Sequence, residues 1–434
     1  MSVKKWTFLK KCTAGILLAA GLLAATRMIG AGVIMSPPPT HTAPPAMQED
    51  LTNNEMDVFL PSGVTKNQSL PEPLQFGPVT VRPHASYSFL YGGGIQSSAG
   101  NAQNTIIQSL SPGVAIDLGT HWTLDYTPTL SFYSNRQFHN TVDHAFSLVG
   151  GTHYEDWIFG LSQTFAKSDD PLVETAAQTE QEEFATAFTA SRSFNDRMSA
   201  DFGLNQDIAS VADLQASYDW STMDWLNYQF WPRLNVGIGA GGGYVDITDS
   251  FSGTNNPSQN NPNQTYEQLQ VRVNWRATDK ISFALSGGYE DRQFMAAGLD
   301  DSLNPIFSAS IQYEPFKQTQ ISLSAGRTVS SSDYYVLSQS SEVTSVGLNL
   351  SQRLLGKYNL SLGVGYSQTE YDVSLGPFSA NRTDENYCFN ASLSRTFLTR
   401  GNVALTYQYG ENTSTEPGFG YNSSQIGFEV GFSY

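Results

Sequence analysis

The fold is decided by the C-terminal stretch Ile426-Gly-Phe428-Glu-Val430-Gly-Phe432-Ser-Tyr434, in which large apolar residues alternate with small or polar ones. Successive side chains of a β-strand point to opposite faces, so this stretch forms a strand with one apolar and one polar face. The alternation recurs in many segments of the length that a membrane-crossing strand needs. The leading interpretation is a β-barrel whose apolar outer face meets lipid.

The end of the chain supports the same interpretation. Phe432 and Tyr434 give the last strand an aromatic ending, which resembles the assembly signal of bacterial outer-membrane proteins. We therefore expect the barrel-assembly machinery as a partner, together with outer-membrane lipid and lipopolysaccharide.

The region 79–434 contains about 18 strand candidates, an even number that suits a single-chain bacterial barrel. The predicted fold is all-β: a transmembrane antiparallel β-barrel of about 18 strands, with 16 as the alternative. Three of the sets predicted to face lipid are Trp122, Leu124, Tyr126, Leu130 and Phe132; Leu234, Val236, Ile238 and Ala240; and Leu269, Val271, Val273 and Trp275.

Connections predicted from turn-forming residues alternate in length. Tight turns are predicted at Gly119-Thr120, Gly151 to His153, Asn195-Asp196, Ser221 to Asp224, Thr278-Asp279, Pro315 to Gln318, Gly356-Lys357 and Arg400-Gly401. Longer polar connections, such as Asp249 to Gln264 and Asp372 to Glu385, fall between them. Short turns on one rim and long loops on the other are typical of outer-membrane barrels.

A soluble sandwich or propeller is the alternative fold, because it also has many strands. Two features count against it: the apolar outward faces and the alternation of connection lengths. Aromatic girdles provide a third, with Trp220, Trp225, Tyr228, Phe230 and Trp231 predicted to crowd one turn.

The N-terminus predicts export. Lys4, Lys5, Lys10 and Lys11 precede an apolar run from Ala14 to Ala25, which is too short to span a membrane and typical of a secretory signal. We assign residues 1–32 to this signal and residues 33–78, rich in Pro, Thr, Asn and Gln, to a disordered periplasmic arm. Arm and C-terminus are both expected in the periplasm of a Gram-negative-type bacterium.

Composition agrees with a membrane barrel. Aromatic residues make up 12% of the chain and charged residues 15%, with a net charge of −17. Soluble domains usually carry about 25% charged residues. The acidic balance makes nucleic acid an unsuitable partner.

Charged residues on the polar face of the predicted strands are candidates for lining the lumen. They carry both signs, so they either select solutes or neutralise one another across a plugged lumen. Glu290 and Arg292 lie two apart on one face and are expected to pair directly. The full candidate set is Arg82, Asp117, Asp125, Asp201, Asp219, Arg233, Arg272, Glu290, Arg292, Arg353 and Glu429.

Acidic residues also concentrate in one predicted external loop, which contains Asp169, Asp170, Glu174, Glu180, Glu182 and Glu183. Such clusters can hold calcium, but the ligand spacing of a calcium loop is missing. The favoured interpretation is a solvated acidic loop, and no metal or other cofactor is predicted.

An enzyme is the contrasting functional class. Asp143 and His144 are adjacent, but neighbours on a strand point to opposite faces and would not form an acid-oriented base. His84, His121, His139 and His153 are scattered, and no Gly-x-Ser-x-Gly elbow is present. The sequence therefore predicts no catalytic site.

Two early segments carry a family resemblance: Ser109-Leu-Ser-Pro112-Gly113-Val-Ala-Ile-Asp117-Leu and Trp122-Thr-Leu-Asp125-Tyr-Thr-Pro128-Thr-Leu. They resemble the early strands of the putative beta-barrel porin 2 family of outer-membrane proteins. The resemblance implies passive passage across the outer membrane, in association with exopolysaccharide export components. The alternatives are a closed structural or glycan-binding surface barrel and, as a third, a barrel hydrolase.

Overall fold

The computed structural model of the chain describes residues 74–98, 100–169, 171–172, 177–212, 215–249, 263–295, 300–331, 340–371, 382–397 and 400–433. The predicted signal and residues 33–73 of the predicted arm lie outside this part of the chain. Among the described residues, no helix is long and apolar enough to cross a membrane.

Twenty-one strands make up the described structure. They are β1 (Leu74–Phe76), β2 (Val79–Ser98), β3 (Asn101–Leu118), β4 (Trp122–Tyr133), β5 (Thr141–Tyr154), β6 (Trp157–Ser168), β7 (Pro171–Leu172), β8 (Ala177–Gln178), β9 (Gln181–Asn195), β10 (Met198–Val211), β11 (Gln215–Trp231), β12 (Leu234–Asp249), β13 (Gln264–Thr278), β14 (Ile281–Phe294), β15 (Ser302–Phe316), β16 (Thr319–Ser331), β17 (Ser340–Leu354), β18 (Tyr358–Tyr371), β19 (Arg382–Phe397), β20 (Gly401–Ser414) and β21 (Tyr421–Ser433).

Eighteen of these strands form a closed antiparallel barrel. Each barrel strand pairs with its neighbours along the chain, and β21 returns to pair with β2 from His84↔Ser433 to Gly93↔Ser424. The predicted all-β barrel of about 18 strands is confirmed, and the 16-strand alternative is wrong.

The three remaining strands are short. β1 pairs with the start of β2, with Leu74 opposite Val81, and so adds to the sheet beside the end of β21. β7 and β8 form a two-stranded hairpin inside the connection between β6 and β9.

The outer face of the barrel carries apolar side chains and the inner face carries polar ones. On β21, Ile426, Phe428, Val430 and Phe432 are exposed on the outer face, whereas Ser423, Gln425 and Glu429 are buried on the inner one. The same parity holds on β12 and β13, where Ile238 and Leu269 are 62% and 63% exposed. Apolar side chains exposed in water would be costly, so this outer surface fits the hydrocarbon of a membrane.

The connections define two rims. Eight connections of two or three residues, together with the start of β2 and the end of β21, form what we call the turn rim. The other nine connections form the loop rim. Seven of these nine have six residues or more, but those after β2 and β10 have only two and three.

Two predicted turns are wrong. Gly151 to His153 lies within β5, which turns at Glu155-Asp156, and Ser221 to Asp224 lies within β11, which continues to Trp231. Small and polar residues resemble a turn in composition, but here they belong to long strands. The real turn after β11 is Pro232-Arg233.

This difference also corrects the predicted aromatic girdle. The aromatic residues of β11 are spread along one strand, with Trp220 towards its start and Phe230 at its end. Trp225 has the inward parity and is only 4% exposed, so it packs inside the barrel and does not belong to a girdle.

Candidate functional site: the inner wall of the barrel

Two of the predicted inward acids lie near the turn rim, each beside a basic side chain of β2. Arg82 donates to Asp117 at 2.8 Å, and Thr123 donates to the same carboxylate at 3.0 Å. His84 Nε2 lies 3.1 Å from Asp125 Oδ2 and 3.4 Å from Thr127 Oγ1. These four ionisable side chains are half-buried, at 12–26% exposure.

Asp125, His84 and Thr127 together do not have the geometry of a catalytic triad. A triad histidine uses one ring nitrogen for the acid and the other for the nucleophile. Here Asp125 and Thr127 both contact Nε2. Of the adjacent residues Asp143 and His144, His144 contacts Tyr126 Oη at 2.9 Å and Asp143 accepts from Thr141.

A buried cluster joins strands β10, β11 and β13. Arg272 forms an ion pair with Asp201 and donates from Nε to Asn227 Oδ1 at 2.9 Å. Asn227 Nδ2 donates in turn to Asp201 at 2.7 Å. Arg272 also lies over the ring of Trp225, 4.5 Å from its centroid. A buried arginine needs such partners, because leaving its charge unpaired would be costly.

The glycines of β12 make room for this cluster. A Cβ on Gly237 would lie 2.5 Å from Asn227 Oδ1 and 3.1 Å from Arg272, and one on Gly239 would lie 2.6 Å from Trp225. Side chains from β11 and β13 therefore lie flat across a strand that has none of its own at these positions.

A second buried network begins at Glu290 and Arg292, which pair at 2.7 Å and are both 2% exposed. Arg292 also donates to Gln264 at 2.8 Å and lies 4.9 Å from the ring centroid of Tyr266. The Tyr266 hydroxyl donates to Asp219 at 3.0 Å. The predicted Glu290–Arg292 pair is confirmed.

Three further candidates for lining the lumen lie outside the clusters described above. Arg233 lies in the turn after β11 and pairs with Asp279 of a neighbouring turn at 2.7 Å, so its prediction as a wall residue is wrong. Arg353 is exposed near the turn rim and donates to the Gly356 carbonyl at 3.1 Å. Glu429 is buried on the inner face of β21. A role of the candidate set in lining a solute path remains a prediction.

Two ion pairs consist of residues that the sequence analysis did not single out. Arg382 and Asp384 pair at 2.5 Å, with Arg382 lying 3.9 Å from the ring centroid of Phe419. Arg327 pairs with Glu342 on the next strand. The first has the same signal as Glu290 and Arg292, namely opposite charges two residues apart on one strand face.

The acidic loop has a cationic partner. Lys167 at the end of β6 donates to Glu180 at 2.7 Å and to Glu182 at 2.9 Å. Asp170 and Glu174 lie outside the described residues.

The fold and the polar, ion-paired inner wall define an outer-membrane, porin-like β-barrel. Residues 255–434 match the model of the family described as putative beta-barrel porin 2. This match confirms the family resemblance over the C-terminal part of the chain. The segments that suggested the resemblance, in β3 and β4, lie outside the matched residues.

Solved structures with a similar fold are outer-membrane proteins of low sequence identity. The siderophore receptor PirA from Pseudomonas aeruginosa is 10% identical, with a TM-score of 0.43 over 81% of this chain and 80% of that one. OccAB3 from Acinetobacter baumannii is 9% identical, with a TM-score of 0.44 over 82% and 99%. Pseudomonas aeruginosa OccK2 (OpdF), solved in complex with glucuronate, is 11% identical, with a TM-score of 0.44 over 81% and 98%. No curated protein sequence matches the chain.

Proposed function

We propose that the barrel is a passive conduit across the outer membrane that serves exopolysaccharide export. The observation that carries passive passage is solvent exposure on the inner face. Asn349, Asn359 and Ser361 have the inward parity of β17 and β18 and are nevertheless exposed. A barrel of 18 strands is wide enough to leave an aqueous bore unless loops or side chains fill it.

The exopolysaccharide part of the proposal rests on the family resemblance. In this arrangement the turn rim faces the periplasm, and the N-terminal arm and the C-terminus lie on that side. Export components in the periplasm would then deliver a chain to the turn rim.

One observation favours a closed structural or glycan-binding barrel as a second candidate. Towards the loop rim the inner side chains are covered, with Gln264, Arg292 and Arg382 at 0–2% exposure. A bore that is open near the turn rim and filled near the loop rim would bind a solute without passing it.

Single-channel recording in a planar bilayer distinguishes the two candidates. We expect the refolded mature chain to give stable conductance steps in potassium chloride, and liposomes containing it to swell in small neutral solutes. A barrel that is protected from protease in vesicles, yet neither conducts nor permits swelling, would overturn the conduit and favour the closed barrel.

A further inference from the structure

A row of five residues, four of them with neutral amide side chains, crosses the inner wall from β17 to β21. Asn349, Gly363, Asn390, Gln408 and Gln425 are directly opposite one another on the five successive strands β17 to β21. All five have the inward parity, opposite to exposed outer residues such as Leu348 and Val364. We call these five residues the amide row.

The amide row is long enough to follow an extended ligand. Neighbouring strands lie about 4.8 Å apart, so the four steps from Asn349 to Gln425 cover about 19 Å of wall. The inward positions immediately before and after each member of the row are Gly, Ser, Thr or Cys. Within this patch the wall is therefore polar and without formal charge.

Gly363 forms the centre of a cradle in the row. A Cβ placed there would lie 2.9 Å from Asn349 Oδ1 and closer still to Asn390 Oδ1. Two amide groups thus lean from both sides over a residue without a side chain. Asn349 is exposed and Asn390 is half-buried, so the cradle is reached from the bore.

The other half of the row has acceptors without donors. Within the described part of the chain, Gln408 Oε1 and Gln425 Oε1 are both buried and accept no hydrogen bond. Gln425 as a whole is only 4% exposed. Buried polar atoms usually have a partner, and a ligand that supplies one recovers the free energy lost on their desolvation.

The chemistry of the row favours a hydroxyl-rich neutral ligand. Each amide offers both a donor and an acceptor, whichever way its oxygen and nitrogen are assigned, and so matches a hydroxyl group, which also does both. An anionic ligand would need the cations that this patch lacks. The buried charged clusters around Asp201 and Glu290 lie on other strands. The inward charged residues on the strands of the row, Arg353, Arg382, Asp384 and Glu429, lie at least four residues from its members.

We propose that the amide row is a binding site for an extended, neutral, hydroxyl-rich chain, that is, for a segment of uncharged polysaccharide. The proposal rests on the proposed function, because it names the class of solute that the conduit would carry. It adds to that function a binding site and a neutral, hydroxyl-rich class of ligand. The ligand lies across strands β17 to β21, with its hydroxyl groups on the amides and over Gly363.

Calorimetric titration of the full barrel in detergent micelles with maltohexaose, a neutral oligosaccharide, tests the site without requiring an open channel. We expect saturable binding to the wild type and a loss of about tenfold in affinity for Asn390→Leu, as for one lost hydrogen-bonded group. Hexa-galacturonate, a polyanionic oligosaccharide, should bind at least tenfold more weakly than maltohexaose. Equal binding of both sugars, or no binding of maltohexaose, would overturn the proposal.

A matched pair of glycine variants removes the concern that Asn390→Leu damages the fold. Gly363→Ala would push both flexible amide ends aside and should reduce maltohexaose affinity to a similar extent. In Gly431→Ala, on the inner face of β21 and six residues from Gln425, the new methyl would have its nearest contact at 3.9 Å and should leave affinity unchanged. An equal effect of the two variants would contradict the cradle.

Conductance separates this proposal from the conduit itself. Maltohexaose binding together with a silent bilayer would leave the amide row in place and overturn passive passage. Conductance without maltohexaose binding would support passive passage and overturn the amide row as a binding site. We expect the wild type both to conduct and to bind maltohexaose. Maltohexaose should reduce the conductance of the wild type and should have much less effect on the conductance of Asn390→Leu.

Discussion

Arg292 and Glu290 show how single residues carry charge inside this barrel. Both are buried to 2% exposure, and Arg292 also contacts Gln264 and the Tyr266 ring. Such a pair contributes little net stability compared with an apolar replacement, yet removing one partner leaves a buried charge unpaired.

We therefore predict that Arg292→Met destabilises the barrel by about 3–5 kcal/mol. The double variant Glu290→Gln/Arg292→Met should recover most of this loss, because it leaves no unpaired charge. Urea unfolding in lipid vesicles, followed by tryptophan fluorescence, measures both. A double variant as unstable as the single one would contradict the explanation.

Backbone conformation supplies a second prediction for single residues. Glu155, in the turn between β5 and β6, has a φ of 54°, a region that costs most residues about 1–2 kcal/mol and that asparagine tolerates better. Glu155→Asn should stabilise the barrel by about 1 kcal/mol in the same unfolding experiment. The matched variant Asp156→Asn removes the same charge from the same turn, and its residue has no positive φ, so it should give no gain.

Strand β12 has glycines on part of its inner face, and the packing of the buried Arg272 cluster depends on them. Gly237→Ala would bring a methyl within 2.5 Å of Asn227 Oδ1 and 3.1 Å of Arg272. We predict a loss of about 1–3 kcal/mol, as is usual for overpacking, with the buried Arg272–Asp201 pair displaced. Gly431→Ala is the control, since its new methyl would have its nearest contact at 3.9 Å. Equal unfolding midpoints for the two variants would show that the cluster tolerates the methyl.

Strand parity can be tested with one substitution on each face. Ile238→Arg places a charge on the outer face of β12 and should cost about 2–4 kcal/mol if that position meets the middle of the membrane. Ser361→Arg places the same charge on the inner face of β18, where the residue is exposed, and should leave stability nearly unchanged. Similar losses for both would contradict a lipid-facing outer surface.

The faces of the strands could be predicted from the sequence, because a pattern of neighbouring residues determines them. Alternation gave the correct faces for β4, β12 and β13, because parity depends only on neighbouring residues. The turns predicted at Gly151 to His153 and Ser221 to Asp224 failed, because small residues that fit an inner wall look like turn residues.

Contacts on the inner wall could also be predicted only where the residues are close in the sequence. The Glu290–Arg292 pair was predictable from a spacing of two on one strand. The Arg272–Asp201 pair joins residues 71 positions apart, and the amide row depends on the register of five strands. Neither can be read without knowing which residues lie opposite one another.

At the scale of the whole molecule, the positions of the two ends lead to a prediction. Because β2 and β21 are paired, a short linker from Ser433 to Val79, with the chain opened between β12 and β13, should preserve every barrel strand. We expect this circular permutant to fold into vesicles and to show the same heat-dependent gel migration as the wild type. A permutant opened at Gly241, within β12, should fail to do so.

Among the barrel pairings, that of β2 with β21 joins the two strands farthest apart in the chain. All other barrel pairings join strands that are consecutive around the barrel and close in the chain, so they can form as hairpins while synthesis or insertion proceeds. Only the pairing of β2 with β21 must wait until β21 has been made. A polypeptide that stops before Tyr421 would keep two unpaired strand edges, which are templates for aggregation. The barrel can therefore close only when β21 is present and paired with β2.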